Sequence, residues 1–221
     1  VLGGMAGVWL YSIFTRQPAR PLLDMVSPGA ALMLMGLRAA EYFTGQGLGD
    51  YLEEESQHFF PLGVMNQYES WQVPVFLYEA VAAFLILLAL LWMIRRGQQA
   101  DGTTAGAFIL LLGLSQIMLE SLREDEFIRF GFVRFNQLMA AATAGTVLFL
   151  RLRRESRAYG RDMAYALRMA VFLLGIIMCI LIEFALDKST IPNEILYLIM
   201  MLTLVMMGTA CFWRSKRTIS S

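Results

Sequence analysis

Ala105-Gly106-Ala107-Phe108-Ile109-Leu110-Leu111-Leu112-Gly113-Leu114-Ser115-Gln116-Ile117-Met118-Leu119-Glu120-Ser121-Leu122-Arg123-Glu124-Asp125 starts as an apolar run and turns polar along one face before it ends. Gln116, Glu120 and Arg123 fall at i, i+4 and i+7, which a helix stacks on one side. The apolar part has the length and character of a membrane helix. A charge near the bilayer centre costs roughly 2.5–3.5 kcal/mol on insertion scales, so a carboxylate here needs a partner or a chemical task. Its plain reading is a polar pair joining two helices, and its functional reading is a polar cavity.

The rest of the chain extends that reading. Of 221 residues, 57% are apolar and 16% charged, and the apolar residues come in long blocks. Seven such blocks run roughly over 1–14, 23–44, 75–94, 104–122, 132–150, 164–186 and 193–213. They predict an all-α integral membrane protein, a polytopic bundle of about seven transmembrane helices. The chain opens on Val1-Leu2-Gly3-Gly4, already apolar and without a methionine, so we expect an N-terminal truncation with one or more helices preceding it.

The intervening loops alternate in charge. Arg16 and Arg20 fill the first, Asp50, Glu53, Glu54, Glu55 and Glu69 the second, and Arg95 and Arg96 the third. A mixed Arg123–Arg129 turn follows, then a basic stretch with Arg151, Arg153, Arg154, Arg157 and Arg161. Asp187 and Lys188 precede a C-terminus carrying Arg214, Lys216 and Arg217. Basic loops stay on the cytoplasmic side, which predicts a cytoplasmic C-terminus and a long outer loop over 45–74. That loop holds Gly45, Gly47, Gly49 and the aromatics Tyr51, Phe59, Phe60, Tyr68 and Trp71, a pattern suited to a lid or a flap on the outer leaflet. Trp92 and Trp213 sit at headgroup depth at the cytoplasmic helix ends, and Gly113, Gly131 and the Ala140–Gly145 cluster suit close helix packing.

Lysine plus arginine balance aspartate plus glutamate at 18 each, which gives nucleic acid nothing to bind. His58 is the single histidine, and Cys179 and Cys211 lie inside apolar runs, so neither a metal site nor a disulfide is expected. No pattern calls for a cofactor.

The polar residues inside the blocks gather toward the outer ends of segments two to five. Arg38 and Glu41 are spaced to pair on segment two, Tyr78 and Glu79 open segment three, Gln116, Glu120 and Arg123 belong to segment four, and Arg134, Asn136 and Gln137 open segment five. Four helices with polar groups at one depth predict a shared cavity open to the outer side. Arginines there suit phosphate, because the guanidinium fork donates several charge-assisted hydrogen bonds. Nearby carboxylates either orient the arginines or take a proton. A membrane phospholipid is the natural ligand at that depth.

The order of motifs resembles the prolipoprotein diacylglyceryl transferase family. Gly3-Gly4 is similar to its His-Gly-Gly, and Asp24 with Pro28 to its Asp-x-x-x-Pro. The stretch from Gly36 to Gly49 resembles its Gly-Arg-x-Gly-Asn-Phe-x-Asn-x-Glu-x-x-Gly signature. Pro74–Glu79 resembles His-Pro-x-Gln-Leu-Tyr-Glu, Gly113–Arg123 resembles Gly-x-x-Arg-x-x-x-Glu-x-x-Arg, and Asn136-Gln137 falls where the family has Gly-Gln. Leu2, Val73, Glu41, Gln46 and Gln116 depart from the family's motif residues, whereas Arg38, Gly49, Tyr78, Glu79, Glu120 and Arg123 are retained.

The resemblance implies a bacterial plasma-membrane enzyme. Such an enzyme moves diacylglycerol from phosphatidylglycerol to the lipobox cysteine of a prolipoprotein, whose signal peptide is the second partner beside membrane lipids. It divides the chain into a transferase-like membrane domain over 1–155 and two additional C-terminal helices over 156–221. On this reading Glu120, Glu41 and Tyr78 are catalytic, and Arg38, Arg123, Arg134, Gln116, Gln137 and Gly49 bind the lipid headgroup. Arg134 is the candidate second cation in place of Gln116. The alternative is a catalytically inactive relative that binds lipid or a partner through the same cavity. A transporter would need inverted repeats or paired broken helices, which the sequence lacks.

Overall fold

The computed structural model describes residues 2–97, 101–124, 129–130, 133–160 and 162–212. Asp125, Gly131, Arg161, Trp213, Arg214, Lys216 and Arg217, used in the sequence reading, lie outside the described residues. Among the described residues seven α-helices form, one on each predicted apolar block: α1 (Leu2–Thr15), α2 (Ala19–Thr44), α3 (Val75–Arg95), α4 (Thr103–Ser121), α5 (Phe135–Tyr159), α6 (Met163–Lys188) and α7 (Asn193–Phe212). Five of them, α2, α3, α4, α6 and α7, are long and apolar enough to cross a membrane. In α5 the apolar stretch is diluted by Asn136 and Gln137 at its start and by the arginines of its last turns. Large apolar side chains such as Phe14, Met25, Leu85, Leu174 and Leu202 point outward and are more than half exposed. In water such faces would aggregate, whereas in a bilayer they are the lipid-facing surface. The chain is a multi-pass membrane protein of all-α class.

Two compact units divide the chain at residues 127 and 128. In the first, α2 packs on α3 and α4, α3 packs on α4, and α1 lies against α2. The helix ends explain this arrangement. Gly45 closes α2 in the left-handed region at φ 66°, where its N–H meets the Glu41 and Tyr42 carbonyls. Pro74 precedes the first turn of α3, and Arg96 lies over the Trp92 ring at its end, 3.7 Å from the centroid. At the start of α4 the Asp24 carboxylate, from the first turns of α2, accepts the Gly102 N–H at 2.6 Å and the Ala105 N–H at 2.7 Å. The orphan donors of one helix are thus satisfied by another, which fixes the two together.

The 45–74 loop folds on itself. Strand β1 (Val64–Met65) pairs antiparallel with β2 (Trp71–Gln72), and the Asn66 side chain accepts the Tyr68 and Ser70 N–H groups across the turn. His58 stacks on Trp71 with ring centroids 5.1 Å apart while its Nε2 lies 3.0 Å from the Leu52 carbonyl. The single histidine therefore braces the loop.

In the second unit, β3 (Arg129–Phe130) pairs with β4 (Val133–Arg134), which leads into α5; α6 packs closely on α7, and α5 contacts both. The Asp162 side chain caps α6 by accepting the Tyr165 N–H at 2.8 Å. Arg168 of α6 pairs with Glu155 of α5. Within the Ala140–Gly145 cluster, Ala144 is buried at 1% exposure. Gly145 has open space around it, and Gly175 of α6 seats Met207 of α7, whose sulfur would lie 2.9 Å from a Cβ. Helix α5 finds its packing partners in α6 and α7.

Candidate functional site

In the first unit, three helices bring charged groups to one end: the last turns of α2, the first turns of α3 and the last turns of α4. Arg38 and Glu41, three residues apart on α2, hydrogen-bond each other. Arg38 Nε lies 3.3 Å from Glu79 Oε2. Arg123, just past α4, reaches the same Glu79 oxygen with Nη1 at 2.7 Å and Glu41 Oε2 with Nη2 at 3.3 Å. Gln116 donates to Glu79 Oε1 at 3.1 Å. Two arginines and two glutamates thus form an alternating ring, with Glu79 at its centre and Gln116 attached.

Backbone pairing carries Arg123 into that ring. The Glu124 N–H donates to Leu48 O at 3.0 Å and Gly49 pairs with Arg123, while the Gly49 N–H donates to Val73 O at 2.8 Å. Phe76 N–H donates to Gly47 O at 2.8 Å. The 47–50 segment is therefore held between the end of α4 and the chain entering α3. Glycine is required at this crossing: a Cβ on Gly49 would lie 2.5 Å from Leu122 O, and one on Gly47, at φ +71°, would strike Phe76 Cβ and the Glu41 carboxylate.

The ring is graded in burial. The Glu79 side chain is fully covered and that of Arg123 is 4% exposed, whereas Glu41 is 16% and Arg38 25% exposed. Separated buried charges would carry a large desolvation penalty, which the alternating arrangement offsets through charge-assisted hydrogen bonds.

Of the residues singled out in the sequence, Arg38, Glu41, Gln116 and Arg123 meet here. Glu120 is buried on the same α4 face, one turn from Gln116. Tyr78 is adjacent to Glu79 in sequence, but its hydroxyl points to the loop and donates to Pro61 O at 3.4 Å. Gly49 contributes through backbone pairing, with its N–H already given to Val73. Arg134 and Gln137 belong to the second unit, where Gln137 hydrogen-bonds Glu183 of α6. Glu183 thus joins α6 to α5. Glu79, which the sequence placed in the shared cavity and among the retained motif residues but to which no catalytic or binding role was assigned, is the hub. Its signal was present in the Pro74–Glu79 motif, but spacing alone could not show that it collects both arginines. Among the described residues no group of three or more histidine, cysteine, aspartate or glutamate side chains is arranged to hold a metal ion.

A polar cleft of about 500 Å³ lies beside this end of the unit, between the 45–74 loop and the junction of α2 and α3. Tyr42, Tyr51, Tyr68, Asn66 and Gln72 are among the residues that line it. A second cavity, of about 240 Å³, is apolar and runs between α1, α2 and α4 past Val8, Val26, Leu34 and Phe108.

A prolipoprotein diacylglyceryl transferase family model matches residues 1–153. The chain is 28% identical over 173 residues to the phosphatidylglycerol–prolipoprotein diacylglyceryl transferase of Corynebacterium efficiens, covering 72% of this chain and 53% of that protein. It is 29% identical over 151 residues to the protein of the same name from Synechococcus elongatus, covering 63% and 51%. With that of Nitratidesulfovibrio vulgaris it shares 27% over 167 residues, covering 72% and 60%. The chain thus spans about half to three fifths of the length of the curated relatives it matches. No solved structure matches.

Proposed function

The chain belongs to the prolipoprotein diacylglyceryl transferase family, and on that premise we propose that it transfers the diacylglyceryl group of phosphatidylglycerol to the lipobox cysteine of a prolipoprotein. The observation that carries the proposal is the ring of Arg38, Glu41, Glu79 and Arg123 with Gln116, gathered at one end of three apolar helices. Two guanidiniums at that depth suit a phosphodiester, and Gln116 can donate one further hydrogen bond to it. In the reaction, the cysteine sulfur forms a bond to the glyceryl carbon that carries the phosphate. The carbon–oxygen bond to phosphate breaks, glycerol phosphate leaves, and the arginines stabilise the charge that collects on it. The thiol proton passes to a carboxylate, Glu120 or Glu41, because thiolate is the competent nucleophile. Tyr78, whose hydroxyl donates to Pro61 O of the 45–74 loop, would help position the lipid.

Charge placement supports an orientation. The ring occupies the end of the first unit that carries the acidic 45–74 loop, and Arg16, Arg20, Arg95 and Arg96 mark the other end. Basic ends stay inside, so the site faces the outer side of a bacterial plasma membrane and the C-terminus is cytoplasmic. Residues 1–155 are then the transferase-like part, and 156–221 add two helices to it.

The test uses the purified chain with labelled phosphatidylglycerol and a lipobox peptide. Label is expected on the peptide cysteine, with loss of at least a hundredfold in rate for Arg123→Gln. A folded protein that retains phosphatidylglycerol yet moves no label overturns the transferase reading. The second reading, lipid binding without transfer, then applies; Leu2, Val73, Gln46 and Gln116 at the motif positions favour it.

A further inference from the structure

The two glutamates of the ring are not equivalent. Glu79 is fully covered and receives Arg38, Arg123 and Gln116 together, so it is the internal anchor. Glu41 sits on the exposed side, next to Arg38, the most exposed member. One Glu41 oxygen takes Arg38 and the other takes Arg123. A phosphodiester approaching from outside must reach those same two guanidiniums from the side where Glu41 stands. Two cations against two anions also leave the ring without net charge to attract it.

We propose that Glu41 is the residue that sets the headgroup affinity of this site, acting as an internal carboxylate competitor for the anionic phosphodiester at Arg38 and Arg123. The proposal rests on the lipid-site reading above. Binding of an anionic headgroup then requires the Glu41 carboxylate to yield its contacts, while Glu79 keeps the arginines in place. The loop glycines fit this role, because Gly47 lies directly on the Glu41 carboxylate and leaves no room for a side chain that would pin it. Removal of the Glu41 charge leaves a ring of net positive charge with the same anchor, and it strengthens attraction to an anion.

The experiment measures binding of dihexanoyl phosphatidylglycerol to the full chain in detergent, with dihexanoyl phosphatidylcholine as the probe that carries its own cation. Glu41→Gln is expected to tighten phosphatidylglycerol binding about tenfold, with a steeper salt dependence and a smaller change for phosphatidylcholine. Glu41→Asp, which keeps the charge but loses reach, falls between wild type and Glu41→Gln and serves if the latter does not fold. Glu79→Gln, which also removes one negative charge, binds no tighter, because the arginines lose their anchor. Equal or weaker phosphatidylglycerol binding by both Glu41 variants, with the fold intact, overturns the proposal. If no chain transfers label but Glu41→Gln still gains phosphatidylglycerol, the transferase reading fails and the Glu41 assignment stands. If wild type transfers label and the Glu41 variants gain nothing, the reverse holds.

Discussion

Arg123 Nη1 lies 2.7 Å from Glu79 Oε2, and both side chains are essentially sealed from solvent. This contact joins the end of α4 to the first turns of α3, residues 44 apart in the chain. The pair does two things at once: it locks two helices, and it presents the rest of the guanidinium toward Glu41 and the exposed side of the ring.

Removal of one partner strands the other. Glu79→Ala leaves Arg123 buried and Arg38 with one carboxylate fewer, and we expect a loss of about 3–5 kcal/mol in stability. Replacing both, as in Glu79→Met with Arg123→Met, is expected to recover a large part of that loss while leaving no lipid binding. Thermal unfolding in detergent across the double-mutant cycle checks this, and additive losses would show that the contact carries no coupling.

Gly45 and Gly47 both have positive φ, at 66° and 71°, but their surroundings differ. Gly45 has open space where a Cβ would go, whereas at Gly47 that Cβ would lie 2.8 Å from Phe76 Cβ. Gly45→Ala should therefore cost only the left-handed backbone strain, about 1 kcal/mol. Gly47→Ala adds overpacking against α3 and should cost about 2–4 kcal/mol in total. Equal melting shifts for the two variants would contradict the close approach of the loop to Glu41 and Phe76.

At the opposite end of the first unit, Asp24 satisfies two N–H groups at the start of α4. Asp24→Ala is expected to lose about 1–2 kcal/mol, as for removal of a helix cap, and Asp24→Asn about half of that, since the amide oxygen still accepts. The melting temperatures of the two variants order the charge and hydrogen-bond contributions. Identical, negligible shifts would mean that water replaces the cap.

The seven apolar blocks were legible because a helix in lipid must satisfy its own backbone and present apolar side chains all round. Composition over about twenty residues therefore specifies it without knowledge of any neighbour. The predicted blocks and observed helices agree within a few residues at most ends, and α5 runs on to Tyr159 because arginine is a good helix former beyond the apolar region. The family was legible for a similar reason: its motifs are local strings with fixed spacing, and the family match over 1–153 agrees with them.

Contacts between helices are a different kind of information. Arg38 and Glu41 could be paired from their i, i+3 spacing, since one helix supplies the geometry. That Glu79 would collect Arg38, Arg123 and Gln116, that Asp24 would cap α4, and that Gln137 would turn to Glu183 depended on which helix faces lie together. The local pattern admits many rotations of one helix against another, and only packing of the whole unit selects one. Membrane character and family were therefore carried by the chain's own order of residues. The choice of Glu79 as hub and Glu41 as its exposed counterpart was made by tertiary packing, because burial and proximity are properties of several segments at once.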